Sequence, residues 1–374
     1  MKKFLIVHIL LVIAGVLQVL NASSGPEKKQ GDAGDTIKIG LLISDTGFQE
    51  ANRGAELAVM AAMQNDQFKD RPVQLITRSM EGLWGTGAKQ TVDLVFNQKV
   101  WAIIGSHDGR NAHLAEQVIA KTQVVYISAW AGDPTLSQAY VPWYFSVVPD
   151  NIQQAKVLAK AVFQNNKNAR LTVISDLDYD ATTALKFFKA ELNESQLSQI
   201  HEIKYDASKL SLDDLLSTIS PTKQNEIVLF GEAHESKLIL DAIRSLNIDA
   251  NVYTSFISLG EDVGVPFELS NFENTFLPDA KYWNSISGKD FAKQYKEQYG
   301  VEPGPTAAYA YDALLLILEK IADTNFDRGA FRENMRNANF TGITGSINFD
   351  KLGNRVDAFH LVKIQNNCPC PVDY

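Results

Sequence analysis

The stretch that decides the fold is VWAIIGSHDGRNAHLAEQVIAKTQVVYIS, residues 100–128. It opens with an apolar run at 100–105 and closes with a second one at 124–128. Between these runs, residues 112–122 carry apolar side chains at helical spacing, which predicts an amphipathic helix. Buried strands that alternate with helices are typical of a parallel sheet covered by helices on both faces. The stretch therefore predicts an α/β fold.

The same alternation extends along most of the chain. Predicted strands at 37–43 and 73–77 flank an amphipathic helix at 52–66. The rhythm restarts after YFSVVPDNIQQA, residues 144–155, and a second set of strands and helices follows to residue 246. Because 374 residues exceed what a single core usually serves, we expect two domains of similar design.

The amino terminus has the pattern of an export signal. Two lysines precede an apolar run at 4–20 and small residues follow it, so we predict a cleaved signal peptide over 1–22 and a flexible leader over 23–36. Residues 306–322 are strongly apolar but include charged side chains, which indicates a buried helix and not a membrane span.

Charge and cysteine content exclude several classes of protein. The formal net charge is −9, and removal of Lys2 and Lys3 with the signal peptide would make it −11, so we expect no nucleic-acid partner. The only cysteines, Cys368 and Cys370, lie in a tail predicted over 367–374, so the fold does not depend on a disulfide framework.

The loop at 106–111 is the first candidate for ligand binding. It follows a predicted strand and leads into a helix, the position where open parallel sheets bind ligands. His107 lies in this loop, Gly109 would let a ligand approach the backbone, and Arg110 offers a planar fork for a carboxylate or phosphate. The alternative is a solvated loop in which Arg110 makes an ordinary surface contact.

Other loops at predicted strand ends supply aromatic and acidic candidates. In the first half these are Trp84, Trp130 and Gly132, on loops that suit a ligand pocket or packing beneath a loop. In the second half, Tyr179, Glu232 and Phe256 occupy the equivalent loops. Tyrosine and carboxylate there would contact the amino or apolar end of a small ligand.

Catalytic and metal-binding functions are the weaker alternatives. Ser106, His107 and Asp108 are consecutive, so their side chains cannot converge as a triad, and neither G-x-S-x-G nor a phosphate-binding loop occurs. A metal cluster is possible in principle, from His107, Asp108 and His113 facing Glu232 and His234. His107 precedes the predicted helix whereas His113 lies within it, and this placement argues against a shared metal ion. We therefore predict neither an enzyme nor a metal or other cofactor.

Several segments, taken in order, resemble the type I periplasmic binding proteins, specifically the branched-chain amino acid and amide substrate-binding subunits of ABC transporters. The motifs that carry the resemblance are IKIGLLISDTG, NRGAELAVMAA, VWAIIGSHDGRNA, TQVVYISAWAGDPTLS, YFSVVPDNIQQA, LDYDATTALKFF, TAAYAYDALLLIL and TGITGSINFDKLGNRVDAFHLVKI, between residues 37 and 365. The last, G-x-x-G-x-x-x-F-D-x-x-G, is the most specific.

The resemblance implies two Rossmann-like α/β lobes joined by a three-crossover hinge that close on a ligand. The resemblance implies that the chain crosses between the lobes near residues 148, 279 and 342, and these crossings define the expected lobe boundaries. Lobe 1 comprises 37–148 plus 280–341, and lobe 2 comprises 149–279 plus 342–366. The resemblance also implies that loops 106–111 and 128–132 hold the carboxylate and ammonium groups of an amino acid. This chain has Gly109-Arg110 and Trp130-Ala131-Gly132 where the family usually has hydroxyl side chains.

We therefore expect a periplasmic, monomeric solute-binding protein that delivers a small ligand to a membrane permease of an ABC transporter. The bulky Trp130 and the cationic Arg110 favour an amino-acid-like ligand that is aromatic, larger or more acidic than leucine. The alternative is a sensory receptor domain that reports the same kind of ligand to a signalling partner.

Overall fold

The structure, a computed structural model, describes residues 36–105, 108–164, 170–219, 226–357 and 359–372. The predicted signal peptide over 1–22 and most of the leader lie outside these residues, as does His107. Within the described residues, no helix is both long and apolar enough to cross a membrane.

Fourteen strands run through the described residues. In chain order they are β1 Ile37–Ile43, β2 Val73–Ser79, β3 Ala102–Gly105, β4 Val125–Ser128, β5 Tyr144–Ser146, β6 Leu171–Asp176, β7 Ile200–Tyr205, β8 Glu226–Phe230, β9 Asn251–Thr254, β10 Thr275–Pro278, β11 Asn339–Gly342, β12 Gly345–Asn348, β13 Leu361–Gln365 and β14 Cys368–Pro371. Those of the first 150 residues form a five-stranded parallel sheet in the order β2-β1-β3-β4-β5. The later strands form a seven-stranded sheet in the order β14-β13-β10-β9-β8-β6-β7, and β11 pairs with β12 in a separate hairpin.

Helices pack against the faces of these sheets. In chain order they are α1 Glu50–Met63, α2 Thr86–Val92, α3 Gly109–Thr122, α4 Pro134–Gln138, α5 Asn151–Phe163, α6 Tyr179–Ala190, α7 Glu194–Leu197, α8 Leu212–Ile219, α9 Ala233–Ser245, α10 Ile286–Tyr299, α11 Pro305–Asp323 and α12 Arg328–Arg336. We call the five-stranded sheet with its helices lobe 1 and the seven-stranded sheet with its helices lobe 2.

The apolar helix α11 belongs to lobe 1 although it lies late in the chain. It packs closely on α1, where a Cβ atom at Gly54 would overlap with the carbonyl group of Ala307. Small residues at this crossing bring the two helix backbones together, which explains the alanine-rich pattern of α11. The chain therefore returns from lobe 2 to lobe 1 after β10.

The carboxyl-terminal segment differs from its prediction as a separate tail. Cys368 and Cys370 lie in β14, which pairs antiparallel with β13 at the edge of the lobe 2 sheet. Asn366 and Asn367 form the connecting turn, and both have positive φ angles of 53° and 59°. Asparagine tolerates this left-handed backbone better than most residues, and such a turn matches the twist of a two-residue hairpin. The cysteines are free thiols.

Two buried charged groups, Arg355 and Asp312, connect the segments that run between the lobes. Arg355, only 4% exposed, donates hydrogen bonds to the carbonyl oxygens of Val147 (2.9 Å), Thr344 (2.6 Å) and Ser346 (3.0 Å). The fully buried Asp312 accepts bonds from the backbone N–H groups of Ile343 and Thr344 at 2.9 and 2.8 Å. We call this set of residues the hinge network.

Candidate functional site

A cavity of about 120 Å³ lies between the two lobes. Its walls are loops at the carboxyl ends of strands, because parallel strands end at the same edge of each sheet. From lobe 1 these loops follow β1, β3 and β4, and from lobe 2 they follow β6, β8 and β9. The principal lining residues are Ser44, Phe48, Asp108, Trp130, Ala131, Gly132, Asn151, Gln154, Asp180, Glu232, Phe256 and Glu261.

Four of the predicted site residues line this cavity. They are Trp130 and Gly132 from lobe 1, and Glu232 and Phe256 from lobe 2. Trp130 and Phe256 meet edge to face, with ring centroids 5.8 Å apart, and Tyr309 completes the aromatic group behind them. The indole is 8% exposed, so Trp130 is held in place by packing as well as facing the cavity.

The structure places two predicted ligand contacts outside the cavity. Trp84 is 84% exposed on the loop after β2, and Arg110 is exposed on the first turn of α3; neither lines the cavity. The guanidinium group of Arg110 lies 5.9 Å from the ring centroid of Tyr179. Arg110 thus does not line the cavity but lies beside a residue of the opposite lobe, and its binding of the negative end of a ligand stays a prediction.

Gly109 and Tyr179 form direct contacts between the lobes. The N–H group of Gly109 donates to both carboxylate oxygens of Asp180, each at 3.1 Å. The hydroxyl group of Tyr179 donates to Asp133 at 2.7 Å. A Cβ atom at Gly109 would come within 2.8 Å of Asp180 Oδ1 and 3.0 Å of the Tyr179 ring, so a larger residue would push these side chains away. These bonds hold the cleft closed beside the cavity.

Asp133 accepts hydrogen bonds from both lobes. His113 Nε2 lies 3.1 Å from the same oxygen atom that accepts from Tyr179, and Thr135 donates to the other oxygen atom. Burial alone would raise the pKa of Asp133, but the hydrogen bonds from His113, Tyr179 and Thr135 outweigh it and lower the pKa to about 2. Hydrogen bonds to Asp133 and then Glu116 raise the pKa of His113 to about 9. We call His113, Asp133 and Tyr179 the latch.

A second contact between the lobes involves the start of α1. Glu261 of lobe 2 accepts hydrogen bonds from the N–H groups of Glu50 and Ala51 at 2.7 and 2.9 Å. The preceding residue, Gln49, provides no side-chain cap, so a carboxylate from the other lobe satisfies the free N–H groups of this helix. The carboxyl group of Glu50 is buried, and burial together with the charge of Glu261 raises its pKa well above the ordinary value.

Acidic groups dominate the cavity. Asp108, Asp180, Glu232 and Glu261 line it, whereas no lysine, arginine or histidine is among the described residues that do so. Burial and then the charge of Asp108 raise the pKa of Asp180 well above its ordinary value. Glu232 faces the open cavity and so keeps exposed surface, but burial by surrounding protein and the nearby acidic groups raise its pKa to about 7.

Sequence reasoning missed Asp133, Asp180 and Glu261. Asp133 carries a local signal, because Asp-Pro-Thr after a strand is typical of a helix start, and its side chain caps α4. Asp180 directly follows the predicted Tyr179. Glu261 has no local signal, because its partners lie 210 and 211 residues earlier in the chain.

Two of the three histidines proposed for the alternative metal site are engaged elsewhere, and the third, His107, lies outside the described residues. His113 contacts Asp133, and His234 contacts Asp262 at 3.0 Å on the surface. Among the residues that the structure describes, no group of three or more histidine, cysteine, aspartate or glutamate side chains is arranged to hold a metal ion.

Two sheets whose strand ends enclose one cavity define a two-lobed binding protein of the type I class, and comparison with known proteins agrees. The sequence profile of the family described as "Periplasmic binding protein" matches residues 36–368. The chain therefore belongs to the periplasmic binding protein family.

Individual relatives are distant. The Leu/Ile/Val-binding protein homolog 1 of Brucella suis is 24% identical over 264 residues, which cover 67% of this chain and 68% of that protein. The branched-chain amino acid transporter substrate-binding protein LivJ of Streptococcus pneumoniae, solved with isoleucine, superposes with a TM-score of 0.75 at 20% identity, covering 89% of this chain and 97% of LivJ. An ABC transporter solute-binding protein of Rhodopseudomonas palustris, solved with 3,4-dihydroxybenzoic acid, superposes with a TM-score of 0.78 at 17% identity. The superposition covers 91% of this chain and 96% of that protein. These structures share the fold.

Proposed function

We propose that this chain is the exported solute-binding component of an ABC transporter, and that it encloses a small amino-acid-like molecule between its lobes for delivery to a membrane permease. The observation that carries the proposal is the cavity between the lobes, which loops from both sheets line and which cross-lobe hydrogen bonds enclose. The named ligands of similar solved structures, isoleucine and 3,4-dihydroxybenzoic acid, support a ligand of this size.

Closure of the lobes provides the mechanism. A ligand that contacts both lobes binds the closed form more tightly than the open form, and it shifts the equilibrium by that difference in affinity. The latch, the Gly109–Asp180 bonds and the bonds from the start of α1 to Glu261 supply further closing interactions, and the latch lies beside the cavity. The permease then recognises the closed form and receives the solute when the lobes open.

The chemistry of the cavity revises the expected ligand. The preference for an acidic molecule depended on Arg110, whose side chain is exposed outside the cavity. Because the charged residues that the structure describes around the cavity are carboxylates, an amino group is the ligand feature that they favour.

Native mass spectrometry of the gently purified protein, followed by thermal unfolding with a panel of amino acids, amides, amines and aromatic acids, tests the binding role. A bound ligand raises the melting temperature because it binds the folded form alone. We expect at least one compound to do so at concentrations near its Kd. A protein that carries no ligand and responds to no compound in the panel would contradict the proposal.

The role of closure is tested with Tyr179→Phe, which removes the hydroxyl group that donates to Asp133. We expect the affinity for the ligand found in the panel to fall about threefold to 30-fold, because a hydrogen bond to a charged acceptor is lost. Tyr140→Phe, at a 74% exposed tyrosine, is the matched control and should leave affinity unchanged. Equal affinities of the two variants would exclude Tyr179 from closure.

Transport and sensing are distinguished in cells. Deletion of the gene should abolish uptake of the radiolabelled ligand if the chain serves a permease. Unchanged uptake, together with loss of a transcriptional response to the ligand, would instead support the sensory alternative.

A further inference from the structure

A second and larger cavity lies at the edge of lobe 1, beside β5. Its volume of about 510 Å³ falls within the range of natural small-molecule sites, whereas the cavity between the lobes measures about 120 Å³. Its walls are the loop before β5, the carboxyl end of α12 and the turn that follows β12. We call it the edge cavity, and its principal lining residues are Tyr140, Phe145, Arg336, Phe349, Asp350 and Lys351.

The turn that follows β12 is held in place by its own hydrogen bonds. One carboxylate oxygen of Asp350 accepts from the N–H groups of Leu352 and Asn354 at 2.8 and 2.9 Å, and the other accepts from the side chain of Asn354 at 3.3 Å. The carbonyl oxygen of Gly353 accepts from the N–H group of Ser146 in β5 at 2.8 Å. The turn is therefore fixed beside β5, and both oxygen atoms of the Asp350 carboxylate are used within it.

Two cationic side chains line the edge cavity. Arg336 is the last residue of α12, Lys351 lies in the turn, and both are exposed. Arg336 donates a long hydrogen bond of 3.4 Å to the carbonyl oxygen of Pro142, and its guanidinium group lies 5.9 Å from the ring centroid of Trp143. Within the part of the chain that the structure describes, neither cation forms an ion pair. Both positive charges are therefore available to a ligand, although the formal net charge of the protein is −9.

Aromatic rings supply the apolar part of the same cavity. Phe349 packs on Phe145, with ring centroids 4.9 Å apart, and is only half-buried. Tyr140 is 74% exposed and has a φ angle of 57°. It follows Ala139, the C-cap of α4, at a position that glycine or asparagine usually occupies. A bulky residue in the left-handed region is strained, and such strain is concentrated at functional sites. The exposed ring of Tyr140 at this wall therefore points to an occupant with a flat apolar body.

We propose that the edge cavity is a second binding site, which takes a small organic anion with a flat apolar body, such as an aromatic carboxylate. The guanidinium group of Arg336 and the ammonium group of Lys351 bind the carboxylate group of the ligand. Tyr140 and Phe349 contact its flat body. This inference goes beyond the proposed solute-binding function, because none of these four residues lines the cavity between the lobes.

Isothermal titration calorimetry with two probes of nearly equal shape tests the charge preference. Indole-3-acetate is an anion at pH 7, and indole-3-acetamide is its neutral counterpart. We expect the acetate to bind at least tenfold more tightly than the acetamide, because its hydrogen bonds to the two cations are charge-assisted. Affinity for the acetate should also fall as sodium chloride is raised, because mobile ions screen exposed cations.

Arg336→Gln and Lys351→Gln test the location of the site. Each variant removes one charge at an exposed position, so we expect it to weaken indole-3-acetate threefold to tenfold and to leave indole-3-acetamide unchanged. Tyr140→Ala should weaken both probes equally, because it removes an apolar contact that they share. Lys293→Gln, at a 74% exposed position on α10, is the matched control and should change neither affinity. Circular dichroism and the unfolding midpoint establish that all four variants are folded.

Three results would overturn the inference. The first is the absence of binding of indole-3-acetate, and the second is an equal affinity for the acetate and the acetamide. The third is binding of the acetate that neither Arg336→Gln nor Lys351→Gln weakens, because the anion would then occupy another site. None of these results bears on the proposed solute-binding function, which the ligand panel tests separately.

Discussion

The hinge network and the cavity between the lobes both bury charged groups, but they treat them in opposite ways. In the hinge network the guanidinium group of Arg355 meets three carbonyl oxygens and the carboxylate of Asp357. Asp312 likewise accepts from backbone N–H groups. In the cavity, Asp180 and Glu232 face other carboxylates, and their pKa values are raised.

This difference separates structural from binding sites. A buried polar network in which every member has partners fixes a single arrangement, as a hinge connecting two lobes requires. Burial and neighbouring acidic groups disfavour the ionised forms of Asp180 and Glu232, and such local conflicts are typical of functional sites. The cavity therefore contains the less favourable charge arrangement of the two regions.

The largest expected effect concerns the hinge network. Arg355→Ala should lower the free energy of unfolding by about 3 to 5 kcal/mol, because it leaves the buried carbonyl oxygens of Val147 and Thr344 without their donor. Urea denaturation of the wild-type protein and the variant measures this change in the free energy of unfolding. Lys293→Ala, whose side chain is 74% exposed beside Glu297, is the control and should change the free energy by less than about 0.5 kcal/mol. Equal effects of the two variants would remove the distinction between hinge and surface.

The latch lies beside the cavity but resembles the hinge, because its carboxylate has a cationic partner. His113→Gln should lower the free energy of unfolding by about 1 kcal/mol at pH 6. The pKa of His113 is raised from 6.5 to about 9, so its stabilising effect is complete below pH 6.5 and disappears as the pH rises through 9. The difference between the two proteins in urea denaturation should therefore shrink from pH 6 to pH 10. A constant difference would show that charge does not contribute.

The smallest expected effect is an increase in the free energy of unfolding, whereas the two changes above decrease it. Glu232 has a pKa of about 7 in the folded protein, above the ordinary 4.5, through burial and the charges of Asp178, Glu235, Asp176 and Asp108. The folded state then binds the proton of Glu232 more tightly than the unfolded state does. The contribution of this carboxyl group to the free energy of unfolding therefore falls as the pH rises from 4.5 to 7, and it stays low above that range. Glu232→Gln should raise the free energy of unfolding by about 0.5 kcal/mol at pH 8, after allowance for solvent screening.

This gain should vanish at pH 4.5, where the wild-type carboxyl group is also neutral when folded. Measurements without added ligand at the two pH values provide the check. A loss of stability at pH 8 would mean that Glu232 has a stabilising partner, and it would weaken the contrast between cavity and hinge.

Much of the fold could be predicted because the signals are local. The predicted strand at 37–43 matches β1, and the predicted helix at 112–122 lies within α3, because apolar periodicity is a property of neighbouring residues. The terminal strand β14 was missed because its pairing depends on β13 and on no periodicity of its own.

The sequence by itself determined the α/β class and the strand-end loops near which ligands bind, since chain order alone places a loop after each parallel strand. It did not determine which side chains of those loops turn inward. Both Arg110 and Glu232 were candidates, yet in the structure Arg110 lies beside the ring of Tyr179 and only Glu232 lines the cavity. Only the tertiary structure brings Glu261 to the start of α1 and Asp133 to Tyr179, because those contacts join residues far apart in the chain. The sign of the charge in the cavity is a sum over both lobes, and no single stretch of sequence contains it.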